Sequence, residues 1–170
     1  MRYFLTSILL LFTIACCNPF APGLDDSSDE SSSLLGDQKN PEGVFQNLKY
    51  AYTFRDTSIY GQLFDGNFTF LYPDYDRGGA EISWGRDEEM RTADGLFKSV
   101  QRLDLIWNNI VDQSFNTDST SAYISRGFNL TVTFRADDIV RVDGYASLQL
   151  IRQGIEYPWT IVRWHDDSNH

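Results

Sequence analysis

The sequence predicts an α+β domain in which N-terminal helices cover one face of a mostly antiparallel sheet. Three observations carry this expectation. Apolar residues recur at helical spacing as far as Lys98 and then alternate with a period of two almost to the end of the chain. The alternating runs are long and joined by short turns, so they pair as an antiparallel meander. One face of that meander is apolar, and the early helices are the only elements available to bury it.

Each element has its own signal. Asn40 is a helix N-cap, Pro41 the first helical residue and Glu42 an acidic residue in the first turn. Val44, Leu48, Ala51 and Tyr52 follow at helical spacing, with Phe45 and Phe54 beside them. Asp56 caps a second, short helix through Ile59, Tyr60, Leu63 and Phe64, which Asp65-Gly66 ends. Phe68, Phe70 and Tyr72 then alternate with Asn67, Thr69 and Leu71 as a strand that Pro73 halts. Residues 74–79 read as a loop, and residues 86–98 as a helix with Met90, Ala93 and Phe97 along one side.

In the meander, Leu103, Leu105 and Trp107 share a face over residues 100–107. Over residues 123–135, Phe128, Leu130, Val132 and Phe134 point one way, and Asn129, Thr131, Thr133 and Arg135 the other. Asp137-Asp138 makes a turn. Val140, Val142, Ala146, Leu148 and Leu150 form the next inward set, with Gly144 marking a bulge or sharp bend. After a turn at Gly154, residues 157–165 form the last strand, carrying Trp159, Ile161, Val162 and Trp164.

Composition sets the class of partner. A chain of 170 residues and 19.5 kDa has room for one ordinary domain, and 42% hydrophobic content supplies its core. A formal charge of −10 excludes a nucleic-acid groove, which needs a concentrated positive footprint. Two cysteines and two histidines exclude a disulfide framework and most zinc sites, so no metal or cofactor is expected.

The N-terminus points to export. After Arg2, residues 4–15 form an uncharged apolar run of roughly a dozen residues, the length of a signal-peptide core and short of the ~20 that span a bilayer. Thr13-Ile14-Ala15-Cys16 then resembles the bacterial lipobox, in which a thiolate attacks a glyceryl donor and the lipidated cysteine becomes the new N-terminus. Cys16 fits this role better than Cys17, because choosing Cys17 leaves Cys16 where a small residue belongs. The alternatives are a vicinal disulfide and a plain secretory cleavage that leaves two unpaired thiols. Residues 24–40 follow with five acidic residues, one lysine and five serines, net −4, and read as a solvated tether with a span of roughly 20–25 Å. The expected organisation is a signal peptide over 1–15, a lipidated cysteine and tether over 16–40, a domain over 41–166 and a tail over 167–170. The expected location is the bacterial cell envelope. Because Cys17 is not the Asp that signals inner-membrane retention, the outer membrane facing the periplasm is favoured.

The element order from residue 41 resembles the nuclear-transport-factor-two-like superfamily, also called the SnoaL-like or cystatin-like cone fold. The local matches are the stretch from Pro41-Glu42 to Tyr52-Thr53-Phe54-Arg55-Asp56, the stretch Asp65-Gly66-Asn67-Phe68-Thr69-Phe70, and the ending Tyr157-Pro158-Trp159-Thr160-Ile161-Val162-Arg163-Trp164. The resemblance implies a strongly curved, cone-shaped sheet with the helices in its concave face and a cavity inside. It also implies a fold shared by isomerases, dehydratases and catalytically silent binding or scaffolding domains, so fold alone does not choose the function.

The residues favour binding over catalysis. Both histidines, His165 and His170, fall in the last six positions, away from any cavity expected from the fold. Asp104 lies in an apolar strand, but its parity sends it outward with Arg102. The loop Asp74-Tyr75-Asp76-Arg77-Gly78-Gly79 fails as a calcium site, with Gly78 and Gly85 where oxygen ligands would stand. Asn67 and Asn129 fit glycosylation sequons but sit inside strands. The candidate ligand-binding residues are Tyr52, Tyr72, Trp107 and Trp159, lining a pocket for a small apolar molecule, with an envelope protein as the other partner. The catalytic alternative pairs a carboxylate with a tyrosine, such as Glu88 with Tyr72. The structural alternative is a homodimer through the outward residues Asn129, Thr131 and Thr133.

Overall fold

Asn40 caps helix α1 (Pro41–Phe54): its side chain accepts a hydrogen bond from the Glu42 N–H at 3.1 Å, and Pro41 stands in the first turn, where a missing N–H costs nothing. The structure, a computed structural model, describes residues 34–75 and 78–169. The signal-peptide region, Cys16, Cys17, the tether as far as residue 33, the loop residues Asp76 and Arg77, and His170 lie outside the described residues. Arg55, left-handed at φ 56°, ends α1 and donates to the Val100 carbonyl at 2.8 Å, which ties the helix end to the entry of the sheet. Asp56 caps α2 (Thr57–Gln62) by accepting from the Ser58 and Ile59 N–H groups at 2.9 and 3.0 Å.

The rest of the chain is β1 (Phe64–Asp74), β2 (Ala80–Gly85), α3 (Arg86–Ser99), β3 (Arg102–Phe115), β4 (Ser121–Arg135), β5 (Asp138–Ile151) and β6 (Thr160–Asn169). The strands form one sheet in the order β2-β1-β6-β5-β4-β3, antiparallel throughout except where β1 runs parallel to β6. The α+β class and the helices packed in the concave face of a curved, mostly antiparallel sheet are as the sequence predicts. The core lies between them: Phe45, Leu48, Tyr60, Leu63, Leu103, Ile124, Leu148, Leu150, Trp159 and Ile161 are all at most 2% exposed. Phe45 meets Trp107 edge-on with ring centroids 5.0 Å apart, and its carbonyl accepts from Trp107 Nε1 at 2.8 Å. Arg126 lies 5.3 Å over the same Phe45 ring and grips both Glu42 carboxylate oxygens at 2.8 and 3.0 Å, so one corner fixes α1 on β3 and β4.

Several boundaries move. The tether stops short of residue 40, because residues 36–40 dock on the domain. The Gly36 N–H donates to Asn47 Oδ1 at 2.7 Å, and Gln38 exchanges two hydrogen bonds with the Trp159 backbone at 2.7 and 2.8 Å. Gly43 makes the docking feasible, since a β-carbon there would overlap the backbone of Asp37. The tail of 167–170 is also corrected: Asp167, Ser168 and Asn169 pair with Tyr145, Gly144 and Asp143 and belong to β6. That strand starts at Thr160, because Trp159 still spends its backbone groups on Gln38.

Pro73 does not halt β1, which continues to Asp74 and pairs through Pro73↔Glu81 with β2, a short and mostly exposed strand. Asp65-Gly66 falls inside β1, where the register to β6 shifts, and the first meander strand runs eight residues past Trp107 to Phe115. Val140 is 44% exposed, at the sheet corner beside the hairpin turn. Register passes unbroken through Gly144 on both sides, so there is no bulge there. Gly144 instead admits close approach, because a β-carbon would overlap the backbone of Asp167 and Ser168.

Candidate functional site

Alternation along three strands of the sheet brings one set of side chains to the inner face beside the end of α1. Leu105 and Trp107 come from β3, Phe128 and Leu130 from β4, and Val142 from β5. The end of β6 adds Trp164, Asp166 and Ser168, every second residue and therefore one face. Tyr52, in the last turn of α1, closes the ring. Together they enclose a cavity of about 180 Å³. Its wall is mostly aromatic and aliphatic, and its polar groups gather where Tyr52, Asp166 and Ser168 stand.

Behind Tyr52 runs a buried polar chain. Glu89, on α3, is 6% exposed and accepts at both carboxylate oxygens, from the Tyr60 hydroxyl at 2.5 Å and from Trp84 Nε1 at 2.6 Å. The Tyr52 ring packs edge-on to that of Tyr60, with centroids 5.8 Å apart. Burial pushes the Tyr52 phenol well above the usual tyrosine range, and the charges of Glu89 and Asp166 push it further. Tyr60 is raised as well, first by burial and then by its neighbours Tyr52 and Glu89. Both rings pack edge-on to Phe97, at 5.6 Å each, so the hydroxyls are held by packing as well as by bonding. Among the described residues, the indole N–H groups of Trp159 and Trp164 are buried without a hydrogen-bond partner.

Of the four ligand-binding candidates, the structure brings Tyr52 and Trp107 together on the cavity and leaves the other two elsewhere. Tyr72 lies in the β1–β2 hairpin beside Phe70 and Trp84, at 6.3 and 5.3 Å between centroids. Trp159 is 1% exposed, under the Arg152 guanidinium at 4.3 Å, and is core. Glu88 is exposed on α3, and among the described residues no hydrogen bond joins it to Tyr72. Asp104 points outward and pairs with Arg102 at 2.7 Å, as parity predicts. The outward residues Asn129, Thr131 and Thr133 lie on the opposite side of β4 from Phe128 and Leu130.

Sequence reasoning passes over Glu89, Tyr60 and Asp166 as site residues, although two of them carry a readable signal. Glu89, Ala93 and Phe97 are spaced by four on α3, which puts the carboxylate in the buried stripe. Asp166 continues the alternation of Trp164, and only a strand ended too early conceals it.

No family model matches the sequence, and no curated protein matches it either. Solved structures do. A conserved protein from Planctomyces limnophilus superposes with a TM-score of 0.64 at 16% identity, covering 75% of this chain and 92% of that one. A scytalone-dehydratase-like protein from Novosphingobium aromaticivorans gives 0.60 at 13% identity, covering 85% and 88%. A nuclear-transport-factor-2-like superfamily protein from Salmonella enterica gives 0.60 at 14% identity, covering 82% and 94%. At such identities the likeness speaks for architecture alone, and it agrees with the helix order and sheet topology above: the chain has the cone fold of the nuclear-transport-factor-2-like proteins.

Proposed function

We propose that this protein is a lipid-anchored envelope protein whose cone domain binds a small, mostly apolar molecule without transforming it. The observation that carries the binding role is the cavity itself, a mostly aromatic and aliphatic wall with a few polar side chains, as ligand sites are built. Its size limits the occupant. A cavity of about 150 Å³ holds one benzene ring, so 180 Å³ admits a single ring with a short polar substituent and no fused polycycle.

The state of the polar groups beside the cavity favours binding over acid–base chemistry. Tyr60 gives its proton to Glu89, which occupies both of its carboxylate oxygens with Tyr60 and Trp84. Burial and the charges of Glu89 and Asp166 raise the Tyr52 phenol well above the usual tyrosine range, so it gives up a proton less readily than a free phenol. The anchor rests on Thr13-Ile14-Ala15-Cys16 and on the apolar run before it.

Two experiments test the parts separately. Leu130→Trp should fill the cavity, and binding of single-ring probes, followed by quenching of tryptophan fluorescence, should be lost while the far-UV spectrum of the full chain is retained. Unchanged binding in that variant would remove the cavity from the function. For the anchor, metabolic labelling with an alkyne fatty acid should mark the wild-type chain and the Cys17→Ser variant but not Cys16→Ser. Label that survives in Cys16→Ser would defeat the assignment.

A further inference from the structure

The outer face of the sheet carries a second cleft, of about 350 Å³, where β3 loses its register to β4. Trp107 pairs with Phe128 and Ile110 with Arg126, so Asn108 and Asn109 together stand opposite the single residue Gly127. That two-against-one count is a β-bulge, a device that re-aims side chains at a sheet edge, and β3 is an edge strand. A β-carbon at Gly127 would come within 3.3 Å of the Asn108 β-carbon, so the glycine leaves room for the asparagine beside it. Two contacts hold the bulge still. The Asn108 carbonyl accepts from Arg126 Nε at 2.6 Å, and Arg126 itself grips Glu42. The Asn108 side-chain amide donates to Asn129 Oδ1 at 2.8 Å. Register then places Asp143 beside Asn129 and Tyr145 beside Gly127 on the same face, adding a carboxylate and a half-exposed aromatic ring.

We propose that this cleft binds a neutral saccharide through one pyranose ring. Amide side chains both donate and accept, which is what adjacent hydroxyl groups, each a donor and an acceptor, require. With their mutual bond made, Asn108 and Asn129 keep amide donors on both side chains and the Asn108 oxygen as an acceptor. The Asp143 carboxylate can take a hydroxyl proton in a charge-assisted bond. Tyr145 offers an apolar ring with a polar tip, a match for the apolar C–H face and hydroxyl rim of a sugar. Among the described residues that line the cleft, one is acidic and none is basic, so an anionic ligand meets like charge and no cation. An apolar ligand would leave the amides and the carboxylate unpaired. At about 30 Å³ for each water-sized group the cleft holds about twelve, the heavy-atom count of one hexose. The cleft is independent of the cone cavity, which lies on the other face of the sheet.

An array of immobilised neutral glycans (glucans, galactans and N-acetylglucosamine oligomers) tests this, probed with the full chain in a detergent that has no sugar headgroup. The chain should be retained on at least one of them, and the free oligosaccharide should compete for it. Asn129→Ala and Tyr145→Ala, both at exposed positions, should each weaken that binding about tenfold or more while the far-UV spectrum is retained. Leu130→Trp, made on the inner face, should leave it unchanged. Retention on no neutral glycan would overturn the proposal, as would stronger retention on sulfated or carboxylated glycans. Binding that survives both outer-face substitutions, or that is lost in Leu130→Trp, would take the sugar away from this cleft and overturn it equally.

Discussion

Two ends of the same inner face use the same residue types to opposite effect. At the closed end Trp159 is 1% exposed, lies under Arg152 at 4.3 Å, meets Phe115 edge-on at 6.4 Å and has both backbone groups bonded to Gln38. At the open end Trp107 and Trp164 face a cavity of about 180 Å³, with a carboxylate and a phenol beside them. The difference lies in what covers the ring. At the closed end the segment of residues 36–40 folds back over the strand entrance. At the open end α1 finishes at Phe54, and among the described residues no element continues it across those strands. An aromatic cluster becomes core or cavity according to whether a neighbouring segment reaches it, and the identity of the ring does not decide.

The largest break in this contrast should come from Trp159→Ala, expected to cost about 3–5 kcal/mol of stability through the cavity left in a filled region. Trp107→Ala should cost less, because part of its ring already borders empty space, and it should weaken ligand binding, which Trp159→Ala should disturb only through unfolding. Urea denaturation of both variants, with midpoints and slopes compared, checks the ranking. Equal losses would mean that the open end is packed as tightly as the closed one. Glu89→Ala comes next, at about 2–4 kcal/mol, since it leaves the Tyr60 hydroxyl and the Trp84 indole N–H as buried donors with no acceptor. Glu89→Gln, which keeps an acceptor oxygen, should recover part of that loss.

The tyrosines sharpen the comparison through pH. Tyr52 and Tyr60 are both raised in the folded state relative to about 10 for a free phenol. The unfolded chain therefore releases those protons first. The stability they contribute is complete below about pH 10 and is lost as pH rises above it. Absorbance titration near 295 nm should find Tyr52 and Tyr60 ionising only when the chain unfolds. In Tyr52→Phe or Tyr60→Phe the withheld signal should fall to one.

How much of this was readable from residues alone follows the physics of each signal. The α+β class, the capped starts of α1 and α2, and the facing of Phe128, Leu130 and Val132 were legible, because burial imposes a period and capping imposes a residue type. The β1–β2 hairpin was not, because Ala80–Gly85 is mostly exposed and carries no apolar run. The docking of residues 36–40 was hidden by composition, since charge and serine signal a solvated chain while the contacts are made by backbone and by Gln38. In the site, Tyr52 and Trp107 were legible by parity and spacing. Trp159 was misplaced because an alternating pattern names the inner face without saying which part of that face stays open. Glu89 was passed over for its exposed neighbour Glu88, one residue away and about 100° around the helix.

The smallest effect belongs to a carboxylate that sits on the right strand and the wrong face. Asp104 lies between Leu103 and Leu105, both buried, and its position in the middle of an apolar strand gives it the look of a catalytic base. Its side chain is 37% exposed and pairs with Arg102, whose side chain is 71% exposed. Such a pair contributes about 0–1 kcal/mol, because solvent screens the attraction and two side chains lose freedom to make it. Asp104→Asn should therefore shift the denaturation midpoint barely at all and leave probe binding unchanged, whereas Trp107→Ala, made on the inner face of the same strand, should weaken it. The two positions stand three residues apart on one strand and therefore on opposite faces of it. A binding defect in Asp104→Asn would mean that the outer surface takes part in recognition and that the cavity is not the whole site.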